Sequence, residues 1–377
     1  MRNTNRDRRR RRALWLFLAV AFLLFWCHSV AAQSRPTAAS EPEFDDVHFH
    51  LTNYIQEGTD IHEFVKIMGT KAGRVALFGI PLQQQWSYQN SGDFAPTYYL
   101  QTDAPLYYYS FTDAYIAMAF RSLSKDEQAR FDPMITGFNP ADMYAADHIR
   151  RVLNTFPDVF SGIGEFTVHK EFVSSKVAGE AASLLNPALD RILDFAAEAG
   201  LVVLIHNDMD VPFAKRDVSA ASLAGAGTET VYLSQMKALL KRHQKTTVIW
   251  AHTGLGRVVG PVPNHAATIE AMLKDPDLNH LYFDISWDEV AKYLVATPES
   301  LKISADLINR YPDRFLFGTD EVAPSNQQQY LRVYYQYDPL WKSLSQDASE
   351  KVRKGNYERI FDQARRDVRA WEASHRK

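Results

Sequence analysis

Eight short apolar runs alternate with longer stretches of helical periodicity from residue 44 to the end of this 377-residue chain, and no other feature constrains its fold as strongly. The runs are Phe44 to Phe49, Arg74 to Pro81, Pro133 to Phe138, Phe160 to Val168, Leu201 to His206, Thr247 to His252, Leu281 to Ser286 and Arg314 to Thr319. Such alternation is what a parallel sheet wrapped by helices requires.

Residues 44–377 contain no Ser/Gly/Pro-rich linker, so the eight units point to one α/β domain, a closed (β/α)₈ TIM barrel. The alternative is an open doubly wound sheet. It is weakened because the first run leads into His48-Phe49-His50-Leu51-Thr52-Asn53 and not into a Gly-rich phosphate loop, which also disfavours nucleotide binding.

Between the runs, Asn186 to Ala199 reads as a helix: Leu189, Ile192, Leu193 and Ala196 recur at i, i+3, i+4 and i+7, and Gly200 ends it. Ala348 to Lys354 and Tyr357 to Trp371 read as two C-terminal helices separated at Gly355-Asn356, a pair suited to a left-handed cap. Gln83 to Thr112 carries Trp86, Tyr88, Tyr98, Tyr99, Tyr107, Tyr108 and Tyr109 with few helical or strand signals. It reads as a long aromatic-rich loop after the second strand, which lines the mouth of the barrel or packs on its wall or on another subunit.

The N-terminus has a different character. Arg2, Arg6 and Arg8 to Arg12 precede an uncharged apolar stretch from Ala13 to Trp26, and Val30-Ala31-Ala32 offers small residues for a signal peptidase. Residues 1–32 are therefore expected to be a signal peptide and 33–43 a short linker, with export to the periplasm or the medium. An uncleaved anchor over residues 13–26 is the alternative, although that stretch is short for the ~20 residues that cross a bilayer. The arginine run also permits the twin-arginine route. Residues 1–32 hold seven Arg and one Asp, so their loss moves the formal charge from −3 to −9. An acidic body of this kind argues against nucleic acid as a partner; a small-molecule substrate is expected from the candidate site residues. Cys27, the one cysteine, lies in the signal segment, so any metal must be held by His, Asp or Glu.

The polar residues at the ends of the runs form a pattern. His48 and His50 end the first, Glu165 lies in the fourth, His206 ends the fifth, His252 the sixth, and Asp320 follows the eighth. Side chains at i and i+2 of a strand share a face, so His48 and His50 project together and Phe49 points away. In a barrel all C-terminal strand ends meet at one mouth, and residues far apart in sequence converge there. A single strand-end histidine is more often a hydrogen-bonded structural residue. Four of them with two carboxylates, while His62, His148, His243 and His375 fall on helix surfaces or tails, make a catalytic divalent-metal site. Zn²⁺ is the first choice, with Mn²⁺ or Fe²⁺ as alternatives. Such an ion lowers the pKa of bound water towards ~7, and Asp320 is placed to accept the water proton and return it to the leaving group.

Asp46-Val47-His48-Phe49-His50, Ile205-His206, Ala251-His252-Thr253-Gly254 and Phe317-Gly318-Thr319-Asp320 resemble the amidohydrolase superfamily, over most of residues 44 to 361. Asn356-Tyr357-Glu358-Arg359-Ile360-Phe361 resembles the end of its amidohydrolase-related, metal-dependent branch. The resemblance implies that His48, His50 and Asp320 bind one metal, that His206 and His252 help bind a second, and that Glu165 bridges the two. It also implies dimers and two reaction types. A binuclear centre hydrolyses amides, lactones, esters or phosphoesters. A mononuclear one, held by His48, His50, His206 and Asp320 with His252 as acid/base, performs non-oxidative decarboxylation or hydration of an unsaturated carboxylic acid.

Glu165 favours the hydrolase, because a bridging carboxylate holds two metals together; its other role would be a hydrogen bond to a ligand histidine. Lys170 and Arg257 are candidate clamps for a substrate carboxylate or phosphate. Asn207 and Asp208, directly after His206, either touch substrate or turn the chain, and no role is assigned to them. A barrel that binds without turnover would lack at least one ligand, and no expected ligand is missing.

Overall fold

The computed structural model describes residues 41–53, 57–80, 85–86, 100–101, 111–170, 173–174, 176–177, 180–181, 183–210, 230–262 and 264–375. The expected signal segment lies outside the described residues, as does most of the aromatic-rich segment. Of the latter, Gln85–Trp86 pairs in parallel with Leu100–Gln101, and a helix begins at Thr112. No helix among the described residues is long and apolar enough to cross a membrane.

All eight apolar runs form strands. They are β1 (Phe44–His50), β2 (Ala72–Phe78), β3 (Phe131–Ile135), β4 (Gly162–Lys170), β5 (Val202–Asn207), β6 (Val248–Trp250), β7 (Leu281–Asp284) and β8 (Phe315–Leu316), followed by a short β9 (Glu321–Val322). Their spatial order is 8-7-6-5-4-3-2-1-9, with every neighbouring pair parallel.

The two ends of this order belong to one segment. β8 pairs with β7 and β9 with β1, and between them Phe317 O accepts from Val47 N (3.1 Å) while Asp320 N donates to His48 O (2.7 Å). The sheet therefore closes on itself through a broken eighth strand, and the fold is the (β/α)₈ barrel. Closure leaves no free edge.

Inside, Val47, Ala76, Phe78, Met134, Val202, Leu204, Ile249 and Leu316 fill the lower barrel, and Tyr357, Ile360, Phe361 and Ala364 plug it from below. These four recur at i, i+3, i+4 and i+7 on helix Asn356–His375, whose apolar stripe thereby forms the barrel floor. Below lies the fully buried Asp132, which accepts from Arg74 Nη2 (2.9 Å) and Tyr357 Oη (2.8 Å) and pairs with Arg365. Alternate residues of the strands face outward to the helices. Phe49 stacks on Phe64 of helix Ile61–Met68 at 4.0 Å between centroids.

Helix Pro187–Ala199 matches its expected span. The Asn186 side chain accepts from Ala188 N, Pro187 opens the first turn where its missing N–H costs nothing, and Gly200 closes the helix at φ +75°. The expected left-handed cap at Gly355-Asn356 is absent. A π-helical turn over Lys351–Gly355 runs straight into helix Asn356–His375, with Asn356 in ordinary helical geometry. The reason lies in the Asn356 side chain, which donates to Pro312 O (2.7 Å) and Phe315 O (2.8 Å) and so ties the floor helix to β8.

One buried carboxylate of the scaffold gives a pH signature. Asp113, on helix Thr112–Ser122, accepts from Thr136 N (2.9 Å) and Gly137 N (3.0 Å) at the end of β3. Burial outweighs these bonds and pushes its carboxyl up to about 7. A folded-state value above the unfolded one means stability that is complete below about pH 4 and lost as pH rises through about 7. Asp113→Asn keeps an acceptor for the two N–H groups and removes the titration. Its melting temperature is expected to fall less than that of the wild type between pH 5 and pH 8; parallel profiles would contradict this.

Candidate metal centre

The site is built where five strands end, and each local departure from regular strand geometry aims a side chain into it. In β1 the register with β2 slips between Asp46 and Phe49. Val47 belongs to the interior cluster, and His48 and His50 reach the site above it. In β4, Ile163 pairs with Val203 and Phe166 with Ile205, so Gly164 and Glu165 together oppose Leu204. This bulge turns Glu165 inward, although strict alternation would place it on the same face as the outward Ile163. Gly164 is required there: its φ is +121°, and a Cβ would lie 2.1 Å from Leu204 O.

His252 follows β6 at φ +58°, and Asp320 lies in the break of the eighth strand at φ +52°. Left-handed backbone at non-glycine residues costs energy and concentrates at functional sites. Both conformations lift a side chain over the mouth of the barrel.

All six expected residues meet. Asp320 Oδ1 is 3.2 Å from Nε2 of both His48 and His50, and Asp320 Oδ2 is 3.9 Å from His252 Nε2. Glu165 sits between two groups of histidines. Its Oε2 is 3.6 Å from His50 Nε2 and 3.9 Å from His48 Nε2, and its Oε1 is 2.6 Å from His206 Nδ1 and 3.7 Å from His252 Nε2. The four histidines and Glu165 are all buried.

The electrostatics is that of a dense cluster of opposite charges. Burial favours neutral His48, but Asp320 and Asp284 outweigh it and hold the imidazole well above its usual range. Burial likewise opposes ionised Glu165 and Asp320. Lys170 and His206 hold Glu165, and His48 holds Asp320, well below the ordinary carboxylate range. Burial pushes His252 down.

The donor set fits a divalent cation. His48 Nε2 and His252 Nε2 are buried and make no hydrogen bond among the described residues; Asp320 lies near both without the alignment of one. Such orphaned atoms are costly unless a partner is supplied, and a cation at the Nε2 positions would displace the proton that Asp320 and Asp284 otherwise hold on His48. Three groups of ligand atoms are each close enough to hold one ion: His48 with His252 and Asp284, and two that meet at one carboxylate, His48 with His50 and Glu165, and Glu165 with His206 and His252.

The family model for amidohydrolases matches residues 45–363. The chain belongs to the amidohydrolase family. Membership supports an enzyme, and it agrees with the strand-end pattern from which the resemblance was drawn. No curated protein matches the chain. Among solved structures, this amidohydrolase is similar to a probable 2-pyrone-4,6-dicarboxylic acid hydrolase from Acinetobacter baumannii (12% identity, 85% of this chain and 99% of that one, TM-score 0.48). It is also similar to 5-carboxyvanillate decarboxylase from Sphingomonas paucimobilis (13%, 85% and 99%, 0.44) and to an amidohydrolase from Burkholderia multivorans with bound zinc (13%, 85% and 99%, 0.49).

The two expected substrate clamps lie beside the cluster. Lys170, at the end of β4, is buried, with Nζ 3.8 Å from Glu165 Oε1 and 5.7 Å from the centroid of Trp287. Arg257 lies over the same ring at 5.5 Å and pairs with Glu289 at 3.6 Å. Trp287 itself is 5.0 Å from His252.

Three residues that sequence reasoning left without a role contact the candidate ligand histidines. Asp208 Oδ1 is 3.1 Å from His206 Nε2. Asp284, the last residue of β7, and Ser286, two residues beyond it, bond His48 and His252. Their signal was present in Phe283-Asp284-Ile285-Ser286, the same i, i+2 alternation at a strand end that singled out His48 and His50. His243, expected on a helix surface, is buried between Asp190 (2.6 Å) and Asp194 (3.0 Å), far from this chemistry in role.

Proposed function

We propose that this amidohydrolase is an exported metal-dependent hydrolase that cleaves a C–N, C–O or P–O bond of a small molecule. The observation that carries the reading is the position of Glu165, whose two oxygens face different pairs of histidines. A carboxylate so placed can be shared by two divalent ions, His48, His50 and Asp320 completing one site and His206 and His252 the other. Zn²⁺ suits such imidazole and carboxylate donors. Ions bound there would supply Lewis acidity and a water of lowered pKa.

The protein's own groups do the rest. Asp320, close to three imidazoles, would take a proton from the attacking water and return it to the leaving group. Lys170 and Arg257 supply positive charge on the Trp287 side of the cluster and orient an anionic part of the substrate. His252 contributes as a ligand or as a second acid/base group.

Zn²⁺-loaded protein assayed against lactones, amides, esters and phosphoesters is expected to hydrolyse at least one class, with no turnover in His48→Ala, which should also lose its metal. Carbon dioxide release or water addition with unsaturated or aromatic carboxylic acids, and no hydrolysis, would replace this reading with the decarboxylase or hydratase one.

A further inference from the structure

The hydrogen bonds around β7 determine where the protons of two ligand histidines must sit. Asp284 Oδ1 accepts three bonds, from His252 N (2.8 Å), Ser286 N (3.0 Å) and Ser286 Oγ (2.5 Å). Asp284 Oδ2 lies 2.9 Å from His48 Nδ1. A carboxylate is acceptor only, so His48 Nδ1 carries a hydrogen and donates it. Ser286 has a single hydroxyl hydrogen, already committed to Asp284. Its oxygen, 2.9 Å from His252 Nδ1, must therefore accept there, which puts a hydrogen on His252 Nδ1 as well.

On both rings the remaining nitrogen is Nε2. These are the two orphaned nitrogens of the cluster, each fully buried. The rings are stacked 4.8 Å apart, and the Ser286 hydroxyl also lies 3.2 Å from His48 Nδ1, so one short unit serves both.

We propose that Asp284 and Ser286 are positioning residues that fix the Nδ1–H tautomer of His48 and His252 together and present both Nε2 lone pairs to the metal centre. This rests on the metal-centre reading above. A metal-ligating histidine held through its second nitrogen is general, and losing such a partner weakens metal affinity about 10–100-fold. Here one carboxylate serves two such histidines from different strands, the second through a serine.

Asp284→Asn separates positioning from scaffolding. Three donors converge on the Oδ1 position, so the amide oxygen takes it and the backbone bonds of His252 and Ser286 survive. The amide NH₂ then faces His48 Nδ1, donor against donor, and drives the His48 hydrogen onto Nε2, where it blocks the metal. Ser286→Ala removes the acceptor for His252 alone, and Ser286→Thr restores a hydroxyl.

Zn²⁺ affinity would be measured by competition with a chromophoric chelator, together with the visible spectrum of the Co²⁺-loaded protein and the melting temperature without metal. Asp284→Asn is expected to bind Zn²⁺ 10–100-fold more weakly with a near-unchanged metal-free melting temperature. Ser286→Ala should weaken binding less and change the Co²⁺ spectrum, with Ser286→Thr recovering both. Wild-type affinity and spectrum in Asp284→Asn, or equal weakening by Ser286→Ala and Ser286→Thr, would overturn the proposal. A wild type that binds no Zn²⁺ would instead remove the metal-centre reading and this proposal with it.

Discussion

Asp320→Asn is expected to lower kcat by about 10²–10⁴-fold, the usual contribution of a positioned acid/base group, while leaving part of the metal bound. Asparagine is among the few residues that tolerate the left-handed backbone at this position, where φ is +52°, so the break in the eighth strand should survive. The bond from the residue 320 N–H to His48 O involves no side chain and is also kept. The amide oxygen can still face His48 and His50, but no atom of the amide can take up a proton near neutral pH. Turnover per bound ion separates the two effects. A variant that retains full turnover per ion would show that Asp320 does not handle the proton.

The fold was legible because it is written in periodicity. Each of the eight runs became a strand, and helix Pro187–Ala199 kept its Asn and Gly ends, since buried parallel strands and capped helices leave continuous local signals. Glu165 was legible by residue type and position, whereas its inward direction was not. A strict period of two puts it with Ile163 on the outer face, and only the bulge at Gly164 reverses it. Asp284 and Ser286 carried the same signal as His48 and His50, but an Asp or Ser at a strand end is common enough to read as a turn. Gly355-Asn356 misled for a different reason. Composition suited a cap, while Asn356 is committed to two carbonyls of the segment leading into β8, and tertiary contact overrode local preference.

Glu165→Gln carries the second large effect, because this one side chain faces both groups of histidines. The amide is nearly isosteric, yet it loses the negative charge that two cations would share and replaces one acceptor oxygen by a donor. Beside His206 Nδ1, now 2.6 Å from Oε1, and the His50 imidazole, 3.6 Å from Oε2, one oxygen cannot serve both sides. Loss of a shared ligand should therefore empty at least one of two sites, where loss of a peripheral ligand would weaken only one.

The count of transition-metal ions per chain, by elemental analysis of the purified wild type and of Glu165→Gln, tests the shared-carboxylate centre most directly and requires no knowledge of the substrate. The structure leads us to expect two ions in the wild type, falling to one or none in the variant. A single ion in the wild type, unchanged by the substitution, would contradict it.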